Sequence, residues 1–101
     1  MKLFDKSLLV TAKVVRDPNS LNRFEVELPG RGTLVYRIDI GDTRPRMRVD
    51  GVRKERRVRL YEADLNQQHQ TFWAELREAA YRQEQDTREW VMDAFRDLLE
   101  D

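Results

Sequence analysis

The chain has 101 residues, of which 40% are hydrophobic and 38% are charged, and it contains no cysteine. This length suits one domain with a single core, and the regular spacing of the apolar residues argues against disorder. The lack of cysteine excludes disulfides, zinc–thiolate sites and thiol nucleophiles. We therefore expect a single domain over residues 1–101.

The first ten residues bear on the cellular location of the protein. Asp5 and Lys6 interrupt the apolar residues between Met1 and Val10, so no signal-peptide core forms there. No apolar run approaches the roughly 20 residues that a membrane-spanning helix needs. The sequence predicts a cytoplasmic protein without a membrane partner.

Charge divides the chain into two parts. Residues 1–61 hold 15 Lys and Arg against 8 Asp and Glu, whereas residues 62–101 hold 4 against 11. The apolar spacing changes from two residues to that of a helix near the same point. We therefore expect a basic β half over 1–61 and an acidic α-helical half over 62–101.

Five short runs in the first half have the period of strands. Their apolar residues alternate, as in Phe24, Val26 and Leu28, and turn sequences such as Pro29–Gly32 separate them. Residues 7–15 are apolar on both faces, which predicts a first strand that is central or covered on both sides. The fold class is α+β, with a five-stranded antiparallel meander or, as the alternative, a small SH3-like barrel.

Residues 64–100 have helical spacing. Asp64 with Gln67, and Asp86 with Glu89, both match the start of a helix. The second half is therefore two C-terminal helices in a hairpin or one long helix. We favour two, with a break at 82–85, because one helix of ~37 residues would reach about 55 Å and outrun the sheet.

Alignment of the apolar residues across each hairpin predicts the registers. These pair Val26 with Tyr36, Ile38 with Val49, and Val49 with Leu60. On the opposite face they set Glu25 against Arg37, Asp39 against Arg48, and Asp50 against Arg59. Charges of alternating sign predict a solvated outer face that neutralises itself.

The remaining cations gather at one end of this predicted sheet, where two turns meet and the first strand begins. We call this set the basic rim: Lys6, Arg31, Arg53, Lys54, Arg56 and Arg57. Guanidinium groups bind phosphates and carboxylates in a bidentate manner, so the rim is a candidate partner-binding site. The alternative is that these charged turns are simply hydrated.

Catalytic chemistry is hard to find. His69 is the single histidine, and its spacing places it on the inner face of the helix as a hydrogen-bonded imidazole. Glu62, Asp64 and His69 together could hold a hard cation, but a helix start explains Asp64 more simply. We expect no enzyme activity, no cofactor and no metal.

The helical half carries more aromatic residues than one helix stripe requires. A helix hairpin could bury both stripes, one on the sheet and one on the partner helix. Alternatively, Trp73, Trp90 and Leu99 form an exposed interface for dimerisation or docking.

These features predict a small non-enzymatic interaction module, a regulator or inhibitor that binds an acidic protein through the basic rim and forms a homodimer through its helices. The alternative is a nucleic-acid-binding protein, with the rim on phosphates and Tyr61 as a stacking surface. A pI near 6.6 counts against the alternative, since dedicated binders have a pI above about 9.

Overall fold

The structure, a computed structural model, describes residues 2–41 and 43–99, apart from the side chain of Leu99. Its elements are a 3-10 turn at Lys6–Leu9, β1 (Lys13–Arg16), β2 (Arg23–Leu28), β3 (Gly32–Ile40), β4 (Pro45–Arg53), β5 (Arg56–Asp64), α1 (Gln67–Ala94) and α2 (Arg96–Leu99). The strands form one antiparallel sheet in the order β1-β2-β3-β4-β5, which confirms the meander. β1 and β5 are its two edges, so the barrel alternative is wrong.

The first strand is shorter than the sequence predicted, and it is an edge strand rather than a central one. The Asp5 carboxylate accepts a hydrogen bond from the Ser7 backbone N–H at 2.9 Å, which stabilises the 3-10 turn in place of an extended chain. Leu9 and Ala12 are buried beside the helix and sheet. The apolar residues of 7–15 therefore come from a folded turn followed by a four-residue strand.

α1 runs for 28 residues without a break at 82–85, so the favoured hairpin is wrong and the alternative of one long helix is confirmed, with the short α2 after it. Residues 82–85 are helical because they include no Gly or Pro and because Gln83 is bonded to β1. The helix starts at the N-cap Asn66 rather than at Asp64, which still belongs to β5. At 1.5 Å per residue α1 is about 42 Å long and does outrun the sheet.

The core lies between α1 and one face of the sheet, which we call the inner face. Phe24 meets Trp73 edge-on with ring centroids 5.0 Å apart, and Tyr36 meets Phe72 at 5.1 Å. The most deeply buried side chains are Tyr36, Phe24, Met47, Leu76, His69, Val26 and Val49. The helix thus covers the part of the inner face that is remote from the β2–β3 and β4–β5 turns.

Two predicted registers are wrong by two residues. Phe24 rather than Val26 lies opposite Tyr36, and Met47 rather than Val49 lies opposite Ile38. The Arg31 N–H donates to the Leu28 carbonyl at 3.1 Å, so the β2–β3 turn is tighter than assumed. A slip of two residues preserves the face that each side chain occupies, which is why alternation alone did not reveal it.

The outer face is neutralised as predicted, but through neighbouring rather than directly opposite charges. Arg23, Arg37 and Arg48 lie side by side across three strands. Asp39 pairs with both Arg37 and Arg48. Glu62 pairs with Arg46, Arg48 and Arg59. Of the three predicted pairs, Asp39–Arg48 and Asp50–Arg59 are in contact, whereas Glu25 faces Val35 instead of Arg37.

Candidate binding site

The β2–β3 and β4–β5 turns lie at the same end of the meander and together border an open cavity of about 620 Å³. Four cations of the predicted rim line it: Arg31, Arg53, Lys54 and Arg56. Four apolar residues of the inner face line it as well: Leu28, Leu34, Val58 and Leu60. We call this cavity the basic pocket.

The apolar part of the pocket exists because α1 leaves this end of the sheet uncovered. Val58 is 61% exposed and Leu60 is 44% exposed, although alternation placed both in the core. Gly51 lies under Leu60, whose Cδ1 is 3.0 Å from the position that a Cβ on Gly51 would take. An apolar surface bordered by charge is typical of a site that binds a partner.

An irregularity in β5 sets the direction of these side chains. Val49 pairs with Tyr61 and not with Leu60, so that predicted pairing is wrong, whereas Asp50 pairs with Arg59 as predicted; Leu60 is therefore an extra residue without a partner in β4. Such a bulge reverses the facing of the residues that precede it. Val58 therefore shares the inner face with Tyr61, although the two are three residues apart.

The β4–β5 turn carries backbone strain. Arg53 pairs with Arg56, which leaves a two-residue turn in which Lys54 has φ 51° and Glu55 has φ 66°. Turns of this kind favour Asn and Gly, because other residues cost about 1–2 kcal/mol each in the left-handed region. Strain of this kind tends to concentrate at functional sites.

The two turns approach each other closely at Gly32. A Cβ on this residue would lie 2.6 Å from the Val52 carbonyl oxygen and 3.2 Å from the Arg53 Cβ. Gly32 also has φ 102°, which favours glycine. The absence of a side chain here lets the Arg31 turn lie directly beside Arg53.

The cations of the pocket are not neutralised within the described part of the chain. Among those residues none of the four has a carboxylate within 4.0 Å, in contrast to the arginines of the outer face. The described residues that line the pocket likewise include no acidic side chain. The pocket therefore offers an uncompensated positive border.

Two predicted rim residues lie elsewhere. The Arg57 Nε donates to Asp50 at 2.7 Å on the outer face, where the bulge directs it. Lys6 lines a different cavity beside α1 with Gln67 and Glu75, because the first segment forms a 3-10 turn rather than a strand that begins at the rim. The structure thus brings together four of the six predicted cations.

Asp50 is the buried carboxylate that holds Arg57 away from the pocket. Burial raises the pKa of Asp50, but hydrogen bonds from Arg59 and Arg57 outweigh this effect and hold the pKa below its ordinary value of 3.8. Asp50 therefore stays ionised and fixes two arginines on the outer face.

His69 is a structural residue of the helix start. Its Nδ1 accepts a hydrogen bond from the Asn66 backbone N–H at 3.1 Å, and its Nε2 lies 2.9 Å from the Tyr61 hydroxyl. The Asn66 side chain in turn accepts from the His69 N–H at 2.9 Å, which completes a capping box. Burial lowers the pKa of His69 below its ordinary value of 6.5, so the neutral form is favoured.

The remaining residues of the metal-site and base-stacking hypotheses are Glu62, Asp64 and Tyr61, and other contacts hold each of them. Glu62 and Asp64 pair with arginines of β4. Tyr61 meets the Phe4 ring at 5.0 Å and bonds to His69, so it is not free to stack on a base. No group of three metal-ligating side chains occurs in residues 2–41 and 43–99.

The predicted helical interface is divided. Trp73 is 8% exposed and belongs to the core, so it cannot line a docking surface, whereas Trp90 is 74% exposed. The Leu99 side chain lies outside the described residues. Trp73 is buried because α1 is one continuous helix whose early turns rest on the sheet.

Sequence reasoning found the cations but missed the apolar residues between them. Alternation assigned Leu28, Val58 and Leu60 to the core, which is correct for their face but not for their exposure. A signal was present at Gly51, since glycine inside a strand often marks a bulge or a close approach.

In the described part of the chain no helix combines the length and apolarity needed to cross a membrane. Comparisons with protein-family models, with curated proteins and with solved structures found no match. The function is therefore inferred from the surface of this chain alone.

Proposed function

We propose that this chain is a non-enzymatic protein-interaction module whose basic pocket binds an acidic segment of a protein that also carries an apolar side chain. The observation that carries the proposal is the combination of an exposed apolar centre with four cations that have no carboxylate partner among the described residues. Binding of this kind is how a small regulator or inhibitor acts on a larger protein.

Both parts of the pocket contribute to the choice of partner. Guanidinium groups attract carboxylates and orient them through paired hydrogen bonds. The apolar centre gains from the burial of Val58 and Leu60, which a partner of charge alone does not cover. An acidic segment with a Leu, Phe or Trp side chain therefore fits better than a uniformly acidic one.

Nucleic acid remains the second candidate because the same cations suit phosphates. Two observations disfavour it. The described lining of the pocket includes no aromatic side chain, and Tyr61 is held inside the fold by His69. Phosphate binding would leave Val58 and Leu60 exposed, so it gives no account of the apolar centre.

Fluorescence anisotropy with three labelled probes tests the proposal. The probes are an acidic peptide with interspersed leucines, an oligoglutamate of equal charge and a short single-stranded oligonucleotide. We expect the leucine-containing peptide to bind at least about tenfold more tightly than oligoglutamate. Tighter binding of the oligonucleotide than of either peptide would favour the second candidate.

Variants assign the binding to the pocket. Arg53→Glu with Arg56→Glu should weaken binding of both peptides by at least about tenfold. Val58→Ser should weaken only the leucine-containing peptide. Lys2→Glu with Lys6→Glu, which reverses two exposed charges outside the pocket, is the matched control and should leave binding unchanged. Equal effects of the two double variants would show that net charge, and not the pocket, is responsible.

A further inference from the structure

The last part of α1 passes the β1 edge, where Val91 and Met92 border an open cavity with β1, and it exposes apolar side chains on its other sides. Gln83 bonds to the edge strand β1, and after it the helix continues for about three turns to Ala94. Trp90 is 74% exposed, and Phe95 and Leu98 are also exposed. A tryptophan in this position is costly to leave in water and is favoured at the centres of protein interfaces.

This segment is also acidic. Asp86, Glu89 and Asp93 recur at spacings of three and four residues, so they share one face of α1. Trp90 follows Glu89 directly and borders this face. Of the three, Asp93 pairs with Arg96, while Asp86 and Glu89 have no cation within 4.0 Å among the described residues. Residues 86–98 hold four carboxylates against two arginines, Arg88 and Arg96, and we call them the acidic helix end.

The acidic helix end and the basic pocket complement each other in charge and in chemistry. One presents an exposed tryptophan beside carboxylates, and the other presents an apolar cavity bordered by arginines. A cavity of about 620 Å³ lies within the range of roughly 300–1,000 Å³ that suits a ligand larger than one indole ring. The pocket lining comes from β2–β5 and their turns, so the occupant must reach it from outside the sheet.

We propose that the acidic helix end of one copy of this chain binds in the basic pocket of a second copy, with Trp90 in the apolar centre and Glu89 against Arg53 and Arg56. The proposal rests on the proposed function, since it names the acidic partner of the same pocket. The two contacting surfaces differ, so a bound pair still offers one free pocket on one copy and one free helix end on the other. Association is therefore head-to-tail, and it continues to rings or filaments.

Charge argues against the symmetric alternative. In a two-fold dimer built on α1 alone, the face that carries Asp86, Glu89 and Asp93 would meet its own copy, and like charges at close range are destabilising. Head-to-tail contact instead sets this face against cations. It also accounts for the opposite charge of the two halves. Residues 1–61 hold 15 Lys and Arg against 8 Asp and Glu, and residues 62–101 hold 4 Lys and Arg against 11 Asp and Glu.

Analytical ultracentrifugation of paired variants tests this arrangement. The pocket variant is Arg53→Glu with Arg56→Glu, and the helix-end variant is Trp90→Ala with Glu89→Lys. At low salt we expect wild-type protein to form species larger than a dimer that grow with concentration, and each variant alone to be monomeric. An equimolar mixture of the two variants should form a 1:1 complex and nothing larger, because only one functional contact is left.

The controls separate this inference from other outcomes. Tyr81→Ala removes another exposed aromatic of α1, 62% exposed, and should leave association unchanged. Circular dichroism and thermal unfolding establish that each variant is folded. Wild-type protein that stays monomeric at high concentration, or a pocket variant that still forms dimers, would overturn the proposal. If wild-type protein stays monomeric at high concentration but binds the leucine-containing acidic peptide, the proposed function stands while the second copy is excluded as its partner.

Discussion

The side chain of Gln83 pairs with the backbone beside Val14 as a neighbouring strand would. Its Oε1 accepts a hydrogen bond from the Val14 N–H at 2.8 Å, and its Nε2 donates to the Ala12 carbonyl at 3.1 Å. These are groups of an edge strand, which in many sheets invite another chain to pair. One glutamine thus blocks part of the β1 edge and anchors α1 to it.

Replacement of Gln83 by Ala should lower the free energy of unfolding by about 1–3 kcal/mol, because it leaves two partly buried backbone groups without partners. Chemical denaturation measures this loss. Hydrogen exchange should accelerate at Val14 and in the last turns of α1. Gln70→Ala, at an exposed position of the same helix, is the control and should change stability by less than about 0.5 kcal/mol. Equal effects at the two positions would contradict the anchoring role.

Acidification should destabilise the protein through His69. The unfolded chain binds a proton at this residue near pH 6.5, whereas burial lowers the pKa in the folded chain. Between these two pKa values the unfolded state holds more protons, so the free energy of unfolding falls as the pH is lowered. Protonation of Nδ1 would also break the hydrogen bond from the Asn66 N–H.

Denaturation at a series of pH values between about pH 7.5 and pH 5 measures this slope. The carboxyl groups with lowered pKa values, Asp5, Asp17 and Asp50, act at lower pH and leave this window clear. Because the chain has one histidine, its titration can be followed directly by NMR. Tyr61→Phe keeps the imidazole and should keep the slope, whereas His69→Asn should abolish it. A folded-state pKa at or above 6.5 would refute the expectation.

Two glycines of the β2–β3 turn should differ in their tolerance of alanine. Gly30 has φ 71° and no atom within 4 Å of the position that a Cβ would take. Gly30→Ala should therefore lower the free energy of unfolding only through backbone strain, by about 1 kcal/mol. Gly32→Ala adds a 2.6 Å approach to the Val52 carbonyl oxygen and should cost about 2–4 kcal/mol. Thermal and chemical unfolding of the pair measure the difference. Similar costs would mean that the two turns are not in close contact.

The strained β4–β5 turn offers a gain in stability. Glu55 has φ 66°, and glycine adopts this conformation without a steric penalty. We expect Glu55→Gly to raise the free energy of unfolding by about 0.5–1 kcal/mol, after allowance for the greater freedom of glycine in the unfolded chain. Peptide binding should not weaken, since Glu55 does not line the pocket. A loss of stability would show that the turn relaxes to another conformation in solution.

Much of the fold follows from period and turn chemistry. Apolar alternation predicted five antiparallel strands in order, and the change of period near Tyr61 marked the helical part. Register was beyond reach because a slip of two residues leaves Phe24, Tyr36 and Met47 on the inner face in either case. The tight turn at Pro29 and Gly30, in which Arg31 bonds back to Leu28, decides between the two.

The sequence predicted the cations of the candidate site but not its apolar centre. Cations at two turns of the same end could be identified from topology, as Arg31 and Arg53 illustrate. The apolar centre could not, because exposure of Val58 depends on where α1 crosses the sheet. That path is set by long-range contacts such as Phe24 with Trp73 and Gln83 with β1, which no local pattern contains.

The bulge at Leu60 makes the pocket depend on how β5 pairs as well as on its composition. Regular pairing of the same residues from Tyr61 back to Arg56, without the bulge, would set Leu60 opposite Asp50 and Arg59 opposite Gly51. Val58 would then turn to the outer face, and Arg57 and Arg59 would turn inward, away from Asp50. Such a shift would leave the meander and its helix in place while erasing the recognition surface. Among relatives of this protein, a retained bulge at this point of the strand would be a sharper mark of shared activity than overall identity.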